Sequence, residues 1–347
     1  MFRHVADLYP QAPVYTSIAD SRATGDLVDP ARVRTSGLQR VPFAARFFRL
    51  LAPLYPRAFE SFDLSSYDLI VSTTTAWAKG VRFRDDAVHV CYIHTVSRFA
   101  FDYERYVGGF GFGALARPVI AELVAWDRKA ARRPTAFVAN SHNVAARVLK
   151  YYGREASVVH CPVDVERFAV GSGSGDYFLV VSRLLGYKRV DLAIDACRLA
   201  GVRLLIAGEG PARAALERRA VGSRTSFLGY VDDATLRALV GDARAVILPG
   251  EEDYGLVPLE ANASGRPAIA FARGGALETI RPGVTGEYFA DPTSESLASV
   301  VAAFDARRYD GAALRAHAET FSPAAFKRRF AAAVDDVVRA HAGGRSS

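Results

Sequence analysis

The chain has 347 residues, 50% of them hydrophobic and 23% charged, with 44 Lys+Arg against 37 Asp+Glu. That is the composition of globular material, long enough for two cores of about 150 residues each. No apolar run approaches the roughly 18 residues of a bilayer-spanning helix, and MFRHVADLYPQAP lacks the apolar centre of a signal peptide, so a cytoplasmic protein is expected.

The excess charge is one-sided. Residues 1–160 hold 21 Lys+Arg and 14 Asp+Glu, net +7, whereas residues 161–347 hold 23 of each. A basic first half suits an acidic partner, either nucleic acid or an anionic membrane surface, and scattered solvated arginine is the other reading. The three cysteines, Cys91, Cys161 and Cys197, lie in apolar runs or a helix pattern and are read as packing residues.

Phe2 to Tyr9 reads as the tail of a helix and Ala12 to Thr16 as the strand after it. A dinucleotide-type domain opens instead on a strand and a glycine-rich turn, so about 20 to 30 further residues are expected upstream. Pro42 to Phe59 alternates aromatic and aliphatic residues with Arg46, Arg49 and Arg57; it is read as a helix lying on its own domain or on a membrane. Tyr67–Thr73 and Ala87–His94 are short apolar runs, the signature of central strands in a parallel sheet.

His94 ends the second run, at the carboxyl edge where open α/β sheets bind ligands. Gly108–Gly113 (GGFGFG) is expected to form a mobile loop near an acceptor. Asn140-Ser141 caps a helix running to Tyr152, and Ser157–His160 is the last strand of the first domain. Cys161-Pro162-Val163-Asp164 is the expected crossing, and Gly171–Gly175 (GSGSG) an exposed linker or loop. Strand and helix patterns then alternate from Phe178 to Leu248, as in a doubly wound domain. Arg183 and Lys188 bracket its first strand-to-helix turn, where two cations can neutralise a diphosphate.

The apolar strand ending at Leu248 runs into Pro-Gly and a charged loop with Glu252. Pro258 stands at the start of a short helix, with Glu260 in its first turn. The strand Ala268–Ala272 leads into Gly274-Gly275 and a second helix, Ala276–Ile280, so two helix N-termini are expected to face one crevice that suits an anion or a polyol.

Glu252, seven residues, Glu260, then Gly-Gly one strand later, together with His94, Asn140-Ser141, Cys161–Asp164, Arg183 with Lys188, and Gly208-Glu209-Gly210-Pro211, resembles retaining glycosyltransferases of family 4. The resemblance runs from about Tyr9 to about Ala340. It implies the GT-B fold: two Rossmann-like doubly wound domains, with residues 1–165 as an acceptor-side domain lacking its opening strand and glycine turn. Residues 166–322 would be the nucleotide-sugar domain, and 323–347 a helix returning to the first.

The resemblance also assigns roles. His94 would reach the transferred sugar and Glu252 take sugar hydroxyls. Glu260 would accept the ribose hydroxyls, and Arg183 and Lys188 would hold the diphosphate. The amides of Tyr254, Gly255 and Leu256, and the Gly274-Gly275 turn, would meet sugar and phosphate oxygens.

The likeness is strongest to bacterial mannosyltransferase-like members of surface polysaccharide or glycolipid assembly. GDP-mannose is therefore the first expectation for the donor, and a glycan or lipid-linked acceptor on an anionic membrane, rather than nucleic acid, is the expected partner. No metal or other cofactor is expected, because no Asp-x-Asp motif and no His/Cys cluster is present. A sugar-nucleotide epimerase on the same fold and a catalytically inactive binding protein are the alternatives.

Overall fold

A computed structural model describes residues 1–20, 27–48, 50–101 and 117–344. Its twelve described strands, β1 to β12, are Val14–Thr16, Val33–Thr35, Leu69–Thr74, Val88–Ile93, Ala136–Ala139, Ala156–Val158, Tyr177–Val181, Arg203–Ala207, Thr225–Gly229, Ala245–Leu248, Ala268–Phe271 and Gly286–Phe289. The helices named below are α1 (Phe2–Leu8), α2 (Arg117–Ala130), α3 (His142–Tyr152), α4 (Val190–Leu199), α5 (Val257–Ala263), α6 (Ala276–Thr279), α7 (Gly311–Glu319) and α8 (Pro323–Gly343). The chain divides into two compact units, Met1–His160 with the chain from Phe326 onward, and Cys161–Ala325.

In the first unit β3-β4-β5-β6 form one parallel sheet and β1-β2 a separate parallel pair. β4 (VHVCYI) is buried at every position, which is why it reads as a nearly continuous apolar run, broken only by His89. Ser141 caps α3 by accepting the Val144 N–H at 3.1 Å, and Gly153 closes it in the left-handed region at φ 65°. Phe326, Phe330 and Val334, one turn apart on α8, bury against Val88, Val90, Tyr92 and Val138, so the last helix closes the first unit's core. Val5 of α1 joins the same cluster.

The 42–59 stretch is not one helix. It is a series of turns, a short 3-10 segment at Ala52–Leu54 and a helix at Tyr55–Glu60. Pro53 and Pro56 each lack the N–H that a continuous helix requires, and Phe43 sits at φ 57°. Arg49 and the Gly108–Gly113 segment lie outside the described residues.

The second unit is one parallel six-stranded sheet in the order β12-β11-β10-β7-β8-β9. The chain starts in the middle at β7, builds to β9, and returns to add β10 on β7's other side. The order therefore reverses between β7 and β10, and in open α/β sheets ligands bind outside the carboxyl ends of the strands at that point. The GSGSG stretch is an integral loop of this unit rather than a linker. The amides of Gly171, Gly173 and Gly175 donate to the carbonyls of Ser264, Gly241 and Asp242 at 3.0, 3.1 and 2.9 Å, a set of bonds that glycine's small size allows.

Candidate functional site

Two turns meet at the reversal point. β7 ends at Val181, and Ser182 to Leu184 are gripped by the Gly208–Gly210 loop. A Cβ on Gly208, whose φ is 133°, would lie 2.0 Å from the Ser182 carbonyl oxygen, and one on Gly210 would lie 2.4 Å from that of Leu184. Arg183, between these two residues in sequence, is exposed and has no side-chain hydrogen bond or ion pair among the described residues. A 3-10 turn, Gly186–Lys188, follows, and Arg189 enters α4 in the left-handed region at φ 53°. A positive φ at a non-glycine residue is uncommon and costs energy, and it marks the tight turn that presents Lys188.

β10 ends in Pro249-Gly250. A Cβ on Gly250 would stand 2.7 Å from the Tyr187 carbonyl oxygen and 2.9 Å from the Lys188 carbonyl carbon, so only glycine lets this loop pass the Lys188 turn. The result is an ion pair between Lys188 Nζ and Glu252 Oε1, whose side chains are only 20% and 11% exposed. Partial burial weakens solvent screening of such a pair.

The Gly274-Gly275 turn seats this loop. Glu252 and Gly274 form a parallel bridge, and the Gly275 N–H donates to the Glu252 carbonyl at 2.9 Å. Gly274 has φ 63°, and a Cβ on Gly275 would lie 2.3 Å from Tyr254 Cα. The Gly275 amide, expected to meet a ligand oxygen, is thus bonded to the Glu252 carbonyl. The second helix is likewise shorter than expected, one turn at Ala276–Thr279, because Ile280 is already extended. Of the two expected helices, α5 alone is longer than one turn.

The Tyr254 ring is buried, and its hydroxyl donates to the Cys161 carbonyl at 2.9 Å, so only its backbone can serve a ligand. Gly255, at φ 81°, turns the chain into α5, and the Leu256 carbonyl accepts the Glu260 N–H at 2.9 Å. The Glu260 carboxylate is partly buried and has no hydrogen-bond or ion-pair partner among the described residues. Burial raises its pKa above the usual carboxylate range; Arg167 opposes that shift and Asp233 adds to it. Arg167 and Asp233 pair with each other at 2.5 Å. Sequence reasoning did not single them out, because Arg167 lies 93 positions before Glu260 and belongs to no motif considered there.

His94 lies in the first unit at the carboxyl end of β4. Its N–H donates to the Thr74 carbonyl at 2.9 Å, and its carbonyl accepts from Asn140 Nδ2 at 3.1 Å. The ring stands edge-on to Tyr92 with centroids 5.2 Å apart, and burial pushes its pKa down to about 4. The imidazole is therefore neutral at pH 7. Among the described residues no group of three or more His, Cys, Asp or Glu is placed to hold a metal ion, and no helix is long and apolar enough to cross a membrane.

Two α/β units built on parallel sheets have the GT-B fold, and two adjoining family models place the chain among the glycosyltransferases of the family 4 type. The family model "Glycosyltransferase Family 4" matches residues 12–167 and "Glycosyl transferases group 1" matches residues 163–310. Over 149 residues the chain is 38% identical to a Mycobacterium tuberculosis protein named GDP-mannose-dependent alpha-(1-6)-phosphatidylinositol dimannoside mannosyltransferase. That match covers 40% of this chain and 39% of the relative. Over 145 residues it is 35% identical to a glycogen synthase of Pseudomonas paraeruginosa, covering 39% of this chain and 28% of that protein. The matched region thus spans well under half the length of these curated relatives. The fold also superposes on Anabaena HepE in complex with UDP-glucose, with TM-score 0.64 and 19% identity over 96% of this chain and 94% of that one. A sucrose-phosphate synthase from Thermosynechococcus elongatus gives TM-score 0.66 at 17% identity, covering 89% and 84%.

Proposed function

We propose that this chain transfers a hexose from a nucleoside diphosphate sugar to a glycan or lipid-linked acceptor with retention of configuration, and that the donor is GDP-mannose. The observation that carries this reading is the Lys188–Glu252 pair at the sheet's reversal point, followed eight positions on by Glu260 in the first turn of α5, whose carboxylate has no hydrogen-bond or ion-pair partner among the described residues. Glu260 suits the two hydroxyls of a ribose, which donate to a carboxylate. When the donor enters, its diphosphate competes with Glu252 for Lys188, and the carboxylate released can accept sugar hydroxyls.

In the reaction the bond from the anomeric carbon to the phosphate oxygen breaks and a bond to the acceptor oxygen forms on the same face. The acceptor's proton passes to the departing phosphate oxygen. Negative charge grows on that diphosphate, so fixed cations at Lys188 and Arg183 act mainly in the transition state. This division of labour needs no metal. Mannose and guanine are favoured because a relative at 38% identity is named as GDP-mannose-dependent.

Work at the cytoplasmic face of a membrane fits the exposed side chains Phe43, Phe47, Phe48 and Leu50, set in the half of the chain that carries all the excess positive charge. The test is incubation of the protein with GDP-mannose, UDP-glucose or UDP-N-acetylglucosamine and lipid extracts, with glycolipid formation followed by mass spectrometry. Transfer from GDP-mannose alone is expected; transfer only from a uridine donor would refute the donor assignment, and no transfer from any would refute the function.

A further inference from the structure

The first unit contains a wholly buried charge pair that the reaction described above does not use. Lys79, in the turn after β3, and Asp127, on α2, are both fully buried, with Nζ 2.5 Å from Oδ1. Four more polar contacts surround them. Ser97 Oγ donates to the same Asp127 oxygen, Tyr152 O–H donates to Oδ2 at 2.7 Å, and Lys79 also donates to the Ala76 carbonyl and, at 3.3 Å, to Ser97 Oγ. Lys79 Nζ further lies 5.5 Å from the Tyr152 ring centre and 5.9 Å from that of Trp126. Well-packed apolar residues of similar volume would serve stability at least as well as a buried pair, so stability alone does not account for this one.

What the pair joins is informative. Ser97 ends the short segment His94-Thr95-Val96-Ser97 that leaves the carboxyl end of β4, and its amide also points to the Tyr152 oxygen at 3.5 Å. The other end of that segment is tied at His94 to Thr74 and Asn140. Lys79 leaves the carboxyl end of the neighbouring strand, β3. Asp127 therefore fixes two adjacent edge loops of one sheet to α2 and α3, and one of those loops carries His94.

We propose that Lys79 and Asp127 are positioning residues for the reaction: their pair holds the His94–Ser97 segment in the geometry that transfer requires. The proposal rests on the transferase reading for its effect on rate. The pair touches no substrate; it acts through Ser97 and the backbone of residues 94–97.

The test compares the whole chain with the double variant Lys79→Met/Asp127→Leu, which replaces the charges by apolar side chains. Expected are a fall in kcat of roughly tenfold or more, since small misplacements near the reacting atoms carry such losses, an unchanged Kd for GDP, and an unlowered Tm. Hydrogen exchange should quicken at residues 94–97 while β4 keeps its protection. Wild-type kcat and exchange in a folded variant would overturn the proposal, as would protection lost throughout the first unit. If the double variant does not fold, Ser97→Ala removes the two side-chain bonds that link the pair to the segment; an unchanged kcat and unchanged exchange there would also overturn it. If the wild type transfers no sugar, the transferase reading fails by itself, and exchange at 94–97 still decides whether the pair orders this segment.

Discussion

Replacing Glu260 by glutamine separates binding from folding. The carboxylate has no hydrogen-bond or ion-pair partner among the described residues, and burial raises its pKa. Between the unfolded and folded pKa values the native state holds more protons, so stability falls as pH rises through that window and stays lower above it. Glu260→Gln removes a charge that the fold does not pair, so its unfolding free energy at pH 7 should equal or exceed that of the wild type. Binding should move the other way. Two ribose hydroxyls donating to a carboxylate form charge-assisted bonds, and exchanging the carboxylate for a neutral amide costs about 1 to 3 kcal/mol, or roughly 5- to 150-fold in Kd. Titration calorimetry with GDP, beside urea unfolding of both proteins, reads the two effects separately. Unchanged GDP affinity would refute the role given to Glu260, leaving it a carboxylate that suits a helix N-terminus.

Gly275→Ala should destabilise by about 1 to 3 kcal/mol and lower nucleotide affinity, because its Cβ would lie 2.3 Å from Tyr254 Cα and push the Glu252 loop off Lys188; thermal unfolding with calorimetry checks both. Lys188→Ala should lower kcat roughly a hundredfold while wild-type activity survives EDTA; activity lost on chelation and restored by magnesium would refute the cation's role. His94 and His89, with pKa values pushed down to about 4 and about 3 by burial, bind fewer protons folded than unfolded below pH 6.5. Stability should therefore fall as pH drops from 6.5 toward 4, and a pH series of urea unfolding that showed no such decline would contradict their burial as neutral rings.

Much of the second unit was legible because its central strands, β7, β10 and β11, are unbroken apolar runs and its turns are marked by glycines. The Glu252–Glu260 spacing likewise shows directly in a β–loop–α pattern. Three things were hidden. The Lys188–Glu252 contact joins residues 64 apart in sequence and depends on Gly250 having no Cβ, which no local pattern reveals. The Gly275 amide reads as open for a ligand until its bond to the Glu252 carbonyl is seen. The 42–59 stretch carries a helical apolar period, yet Pro53 and Pro56 override it, because missing backbone donors outweigh side-chain periodicity. Lys79 and Asp127 were invisible for a different reason. Each is an ordinary charged residue in sequence, and only the fold shows that both are buried.

The most direct measurement is proton NMR of the anomeric region while the protein turns over GDP-α-mannose with an acceptor glycolipid. The account predicts a new α-linked mannose signal growing in step with GDP. A β-linked product, or a nucleotide sugar converted to its epimer with no GDP released, would contradict it.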